Sequence, residues 1–440
     1  MPQPPLSDHI RSREPSDIRI AGIRFAARPD QVAAINVAIG NVSLPMHPAM
    51  TRRMGELNAA GSPFHGGVLK YTSTVGMDET RQAFLHVIAS SGFDTKALHC
   101  QITDGGSQGM ELILLATCGL VDGHERPVLL IDPAYTNYNA FASRLGIPTV
   151  SFSRALGEDG RFSLPPMAEI EEVIRRHRPG ALVVIPYDNP NGQFYDQATL
   201  NGLARLCVAH DMWLVSDEAY RELFYTGGVT SSVWGVSEKD VPGISGRRVS
   251  LETTSKVWNS CGLRIGALVT DSQELHTRAV AENTANLCSS AMGQYIFGAI
   301  AGLSHAELRQ WYQQQRMHYQ PMMAGFARDV HALLPEAIVS SPDAALYSVV
   351  DVRRMVGPDF QMLEFVLWCA EEGAVELPEG RLTLLVAPMA GFYQTKGANP
   401  GRTQMRIAYV ESPERMAIIP RLLAGLLTQY LARTKAPAAC

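Results

Sequence analysis

One recurring unit constrains the fold of this chain more than any other feature: short, continuously apolar runs rich in Val, Ile and Leu, each ending in a polar turn. Residues 127–131, 180–185, 212–216, 248–252 and 265–270 all have this form. Strands buried on both faces read this way, because neither face alternates toward water. Helical stretches at 168–177 and 196–210 fall between them. Strands alternating with helices predict a mostly parallel sheet covered on both sides, an α/β fold.

The remaining segments fill in around that sheet. After a polar, Pro-rich start that looks mobile, residues 31–40 read as a strand ending at Gly40. A strand at 101–103 runs into a glycine turn at 104–109, and a helix continues over 110–120. Near Gly293 the pattern changes to a long helix, 305–334, broken mainly by Pro321. A strand at 346–352, a helix at 364–372, a strand at 404–410 and a last helix over 413–432 predict a second, smaller part, which the N-terminal strand could join. The tail 436–440 is of low complexity.

Composition excludes several classes. With 46% hydrophobic and 18% charged residues, the 440-residue chain is too apolar for disorder. A net charge of −5 and no basic block argue against a nucleic-acid binder. No apolar run reaches the roughly 18 residues a membrane helix needs, and the first residues lack a signal-peptide core, so the expected address is cytoplasmic. The seven cysteines are scattered, as reduced thiols would be. The 12 histidines show no pairing suited to a metal, so none is expected. The charged fraction is low, since globular domains average roughly 25%, which leaves room for an apolar interface.

Ligands of open α/β sheets bind at the carboxyl ends of strands. Gly105 and Gly106 there expose backbone N–H groups at a helix start, where the dipole favours phosphate, although the pattern is not the dinucleotide fingerprint. Asn189 and Asp217 follow neighbouring strands. There are only six lysines, so a Schiff-base lysine can be sought by elimination. Lys96, Lys239, Lys396 and Lys435 sit in polar, loop or tail sequence, whereas Lys256 follows a buried-type strand in Thr253-Thr254-Ser255-Lys256, with Arg264 eight residues on. Hydroxyls, amine and guanidinium thus cluster round one possible phosphate.

At this point the chain resembles the class I/II aminotransferases, fold-type-I enzymes that use pyridoxal 5′-phosphate. The resemblance runs from about Ile35 to the last helix. It rests on Lys70-Tyr71 before Gly76, Gly105-Gly106-Ser107-Gln108, Pro133-Ala134-Tyr135, Asn189-Pro190-Asn191-Gly192, Asp217-Glu218-Ala219-Tyr220, Ser255-Lys256 with Arg264, and Arg406. It implies a large domain with a seven-stranded, mostly parallel sheet flanked by helices, plus a smaller α/β domain. The implied division is 1–45 as arm and strand, 46–300 as cofactor domain and 301–440 as long helix and small domain.

The resemblance also implies roles. Lys256 would form the internal aldimine and then move the substrate Cα proton. Asp217 would keep the pyridine nitrogen protonated. Tyr220 and Asn189 would hydrogen-bond the phenolic oxygen, and Tyr135 would stack on the ring. Gly106, Ser107, Gln108, Thr253, Ser255 and Arg264 would hold the phosphate. Tyr71 would reach the phosphate of the neighbouring subunit in a homodimer. Arg406 would pair with the substrate α-carboxylate, which the backbone at Gly40 approaches.

The expected activity is amino-group transfer between an L-amino acid and a 2-keto acid. The same residues would also serve elimination, replacement, oxidation or 1-aminocyclopropane-1-carboxylate synthase chemistry. A ligand sensor fused to a DNA-binding head is disfavoured, because the segment before Ile35 is too short for one. Residues 386–402 read as a cover over the substrate side chain, with Phe392 and Tyr393 setting amino-acid preference.

Overall fold

The computed structural model describes residues 3–395 and 397–435; Lys396, the tail 436–440 and the side chains of residues 434 and 435 lie outside the described residues. The apolar runs form a seven-stranded sheet in the order His99–Asp104, Ile265–Thr270, Arg248–Thr253, Trp213–Asp217, Ala181–Val184, Val128–Asp132, Thr149–Ser153. All neighbours are parallel except Ile265–Thr270, which runs antiparallel to both strands beside it. The middle strands Val128–Asp132 and Ala181–Val184 are buried at every residue. Their unbroken apolar sequence follows from helices covering both faces.

Two smaller sheets are built from residues outside that layer. The strand Ala33–Asn36 pairs in parallel with Gly380–Leu385, which pairs antiparallel with Val375–Leu377. A four-stranded antiparallel sheet runs Ile338–Val339, Tyr347–Asp351, Gln404–Ala408, Ala387–Pro388. Strand Val349 lies opposite Arg406, and this register brings the Tyr347 ring and the Arg406 side chain together.

The structure departs from the sequence reading in four places. The glycines at 105 and 106 are not a loop ahead of a helix; they form the first turn of the helix Gly105–Thr117, directly after the strand. Pro321 does not break the long helix, which runs uninterrupted over His305–Leu333. It starts with a capping box between Ser304 and Glu307 and buries Leu308, Trp311, Tyr312, Gln315, Tyr319, Met323, Phe326 and Val330 along one face. That stripe outweighs the roughly 3 kcal/mol an interior proline costs. The N-terminal strand is shorter than 31–40, ending at Asn36.

The start of the chain is helical rather than loose: Asp17–Ala26 forms a helix that packs on the helix Met362–Glu371. Just after it, Arg28 pairs with Asp30 and donates to the carbonyls of Cys369, Glu372 and Gly373. These are orphan acceptors at a helix end, and a guanidinium there satisfies them while complementing the dipole.

Candidate active site

The carboxyl edge of the large sheet and the two central strands of the four-stranded sheet help to enclose a cavity of about 400 Å³. Among the residues given a cofactor or substrate-carboxylate role from the sequence, all but Gln108 and Tyr71 line it. Gln108 faces away: its amide accepts from the Asp104 N–H and donates to Asn283. Tyr71 is 79% exposed, outside the cavity. Arg19, Lys256, Arg264 and Arg406 line the cavity against one carboxylate, Asp217, among the described residues. Such a cavity draws in anions.

At one end the antiparallel register sets Asp104 opposite Ile265 and Thr253 opposite Gly266. This places the start of the Gly105 helix beside Arg264. The first turn of that helix carries no acidic residue, and Asp104 makes no side-chain cap. Gly105 has φ +69°, and a Cβ there would run into the Arg264 guanidinium; a Cβ on Gly266 would lie 2.7 Å from the Gly105 carbonyl carbon. The backbones therefore close to a distance only glycine allows. The Thr253 and Ser255 hydroxyls are 2.9 Å apart on the same wall. N–H groups, two hydroxyls and a guanidinium converge here, a built anion site.

In the middle, Lys256 points its Nζ across the cavity to the Gly40 carbonyl at 2.5 Å. The other lysines with described side chains, Lys70, Lys96 and Lys239, are exposed. Asp217, at the end of its strand, accepts from the Tyr138 hydroxyl at 2.6 Å and from the Ala219 N–H at 3.1 Å. Burial pushes its carboxyl up to about 6, against the pull of those two donors.

At the far end Arg406 donates to Asn189 Oδ1 at 2.9 Å and to the Ala38 carbonyl at 2.7 Å. Its guanidinium lies over the Tyr347 ring at 4.6 Å and the Phe392 ring at 5.2 Å. Asn189 donates in turn to Tyr220, whose hydroxyl is 2.9 Å from that of Tyr347. The Arg406 Nε is buried with no partner among the described residues. A charged donor left unpaired in a cavity wall calls for an anionic ligand.

Several wall residues escaped the sequence reading. Tyr138 lies in the first turn of the helix Asn137–Leu145, its N–H donating to the Tyr135 carbonyl at 3.1 Å, and its ring meets that of Tyr135 edge to face at 5.4 Å. Tyr347 sits in an apolar strand with no motif to mark it. Ser16, Ile18 and Arg19, from the N-terminal helix, also reach the cavity. Of the two aromatics expected to cover the substrate, Phe392 lines the cavity, but Tyr393 does not: it is buried with its hydroxyl on Gln404 at 2.7 Å. Among the described residues no metal-binding cluster is found, and no helix is long and apolar enough to cross a membrane.

Comparison with known proteins agrees with this geometry. The family model "aminotransferase class I and II" matches residues 34–388. The chain is 26% identical over 323 residues to the aspartate/prephenate aminotransferase of Thermus thermophilus, covering 71% of this chain and 76% of that one. Over a shorter stretch of 158 residues it is 32% identical to the arginine–pyruvate transaminase AruH of Pseudomonas aeruginosa, covering 36% and 37% of the two chains. Its fold superposes on the N-succinyldiaminopimelate aminotransferase structure from Mycobacterium tuberculosis with a TM-score of 0.78 at 18% identity, over 96% of this chain and 100% of that one. With the family model covering most of its length, the chain belongs to the aminotransferase class I and II family and is an enzyme, a transferase of amino groups.

Proposed function

We propose that this enzyme holds pyridoxal 5′-phosphate in the 400 Å³ cavity and uses it to move an amino group from an L-amino acid to a 2-keto acid. The observation that carries this reading is the convergence of Lys256, Asp217 and Arg406 in one cavity whose opposite end is an anion site. The residues suit the cofactor's parts: the anion site suits a phosphate, buried Asp217 a cationic ring nitrogen, and Asn189 and Tyr220 a phenolic oxygen. When bound, the cofactor supplies the electron sink that lets an amino acid lose its Cα proton and the carrier that stores the amino group.

The protein's own part is to bind, orient and move protons. Arg406, held flat between Tyr347 and Phe392, takes the substrate carboxylate through a fork that lysine cannot offer. Lys256 Nζ supplies the nucleophilic amine and the base for the substrate Cα proton. Asp217, ionised above its raised pKa, balances positive charge at the ring nitrogen. Phe141 and Phe392, both buried in the walls, keep water from the reacting centre.

The same reading extends to assembly. Val68, Leu69 and Tyr71 are each more than half exposed, an apolar strip suited to a partner surface in a homodimer, with Tyr71 reaching the neighbouring phosphate site. The arm 1–45, cofactor domain 46–300 and small domain 301–440 form the working division, closing on the cavity between them. Cysteines without disulfides among the described residues suit the cytoplasm.

The test is a half-reaction. Purified enzyme loaded with pyridoxal 5′-phosphate is mixed with single L-amino acids while its absorbance is followed. The expected result is conversion to the aminated cofactor with release of a keto acid, abolished in Lys256→Ala. Release of ammonia or a side-chain fragment without amination would instead establish elimination or replacement.

A further inference from the structure

Arg406, Asn189, Tyr220 and Tyr347 form a closed circuit. Arg406 donates to Asn189, Asn189 to Tyr220, the Tyr220 and Tyr347 hydroxyls share a hydrogen bond, and the Tyr347 ring returns to the underside of Arg406. We infer that Tyr347 is a positioning residue with two separable tasks: its ring seats the carboxylate-binding arginine, and its hydroxyl aims the Tyr220 proton into the cavity. The inference rests on the cofactor reading above.

Three features support the assignment. Tyr347 is 1% exposed, so ring and hydroxyl are held in one place by the packing around them. Its hydroxyl also faces Gly40, where any Cβ would collide with it, so the Gly40 backbone can come close only because residue 40 has no side chain. The rings of Tyr220 and Tyr347 meet edge to face at 79°, with centroids 5.6 Å apart, which turns the two hydroxyls toward each other.

The proton count then gives the hydroxyl its role. Asn189 Nδ2 is a donor only, so Tyr220 accepts from it. If Tyr347 also donates to Tyr220, the single Tyr220 proton is free for an acceptor in the cavity, and its donation is strengthened by the two bonds it accepts. A stronger donor beside a phenolic oxygen stabilises the anionic form of that oxygen. The two tasks belong to different ends of the side chain, so they can be removed one at a time.

The experiment uses holoenzyme and two readouts besides turnover: the pH at which the bound cofactor's visible band changes, and the affinity for propionate, a carboxylate without an amine, read from perturbation of that band. Tyr347→Phe should move the pH transition upward by about half a unit or more while leaving propionate affinity within about twofold. Tyr347→Leu should weaken propionate binding by about tenfold through loss of the ring beneath Arg406. In a Tyr220→Phe background, Tyr347→Phe should give no further shift. An unshifted transition in Tyr347→Phe, or an equal shift with and without Tyr220, would overturn the inference while the cofactor reading stands. Absence of any band in the parent protein would overturn both.

Discussion

The two ends of the cavity are built in different ways. The anion end comes from three adjacent strands of one sheet, and most of its groups lie within a few residues of each other: Thr253, Ser255, Lys256, Arg264 and Gly266 in one stretch, Gly105 and Gly106 in another. The carboxylate end is assembled from distant pieces, with Arg406 on one strand, Tyr347 on its neighbour, Phe392 in a turn, Ala38 and Gly40 after the N-terminal strand, and Asn189 from the large sheet. A rigid sheet edge suits a group that stays bound through every cycle. An end shared among separate elements can open and close around a substrate that must enter and leave.

If the ends are separable, substitutions should act on one and spare the other. The largest effect is expected for Arg406→Gln, which removes the charged fork and strands Asn189: kcat/KM should fall by about 10²–10³-fold, while cofactor affinity, measured by absorbance titration, stays unchanged. Arg264→Gln should do the reverse, raising the cofactor Kd by about 10–100-fold and leaving the KM of fully loaded enzyme close to that of the parent. Gly40→Ala should raise the substrate KM by about tenfold with little effect on cofactor binding, because its new methyl group meets the Tyr347 hydroxyl. A variant that disturbed both ends equally would erase the distinction.

The smallest effect is a pH dependence. Burial holds the Asp217 carboxyl up at about 6 in the cofactor-free protein. Below that pH it carries a proton and cannot balance a cationic ring, so cofactor affinity should decline as pH falls below 6 and level off above it. Asp217→Asn should bind weakly with no such dependence. The linkage to folding has the opposite sense. Between about 4 and 6 the folded chain keeps a proton that the unfolded chain has lost, so the stability contributed by this group fades as pH rises through that window.

The same contrast explains what the sequence revealed. Lys256 could be found by elimination among six lysines, and Arg264 by its place eight residues on, with the neighbouring hydroxyls at the end of the same strand. Asp217 and Asn189 stood out as polar groups ending apolar strands, which is why the sheet itself was legible. Tyr347 carried no such mark, because in an apolar strand a tyrosine reads as core and its meaning arises only from a register that pairs Val349, two residues on, with Arg406 and so sets Tyr347 diagonal to it. The helix Asp17–Ala26 was missed because its packing against Met362–Glu371 and the ties made by Arg28 nearby depend on residues more than 300 positions away. Pro321 misled for a related reason: local propensity spoke for a break, and a buried stripe of aromatic and aliphatic side chains overruled it. Tyr393 shows the limit of reading a segment as a unit, since adjacent residues in a turn face opposite ways.

The account stands on the claim that Lys256 is the amine that holds the cofactor. The most direct measurement is borohydride reduction of the enzyme loaded with pyridoxal 5′-phosphate, followed by peptide mass mapping of all six lysines. The added mass should appear on the peptide containing Lys256 and be absent from the Lys256→Ala protein. Label on Lys70, Lys96 or any other lysine, or none at all, would contradict it.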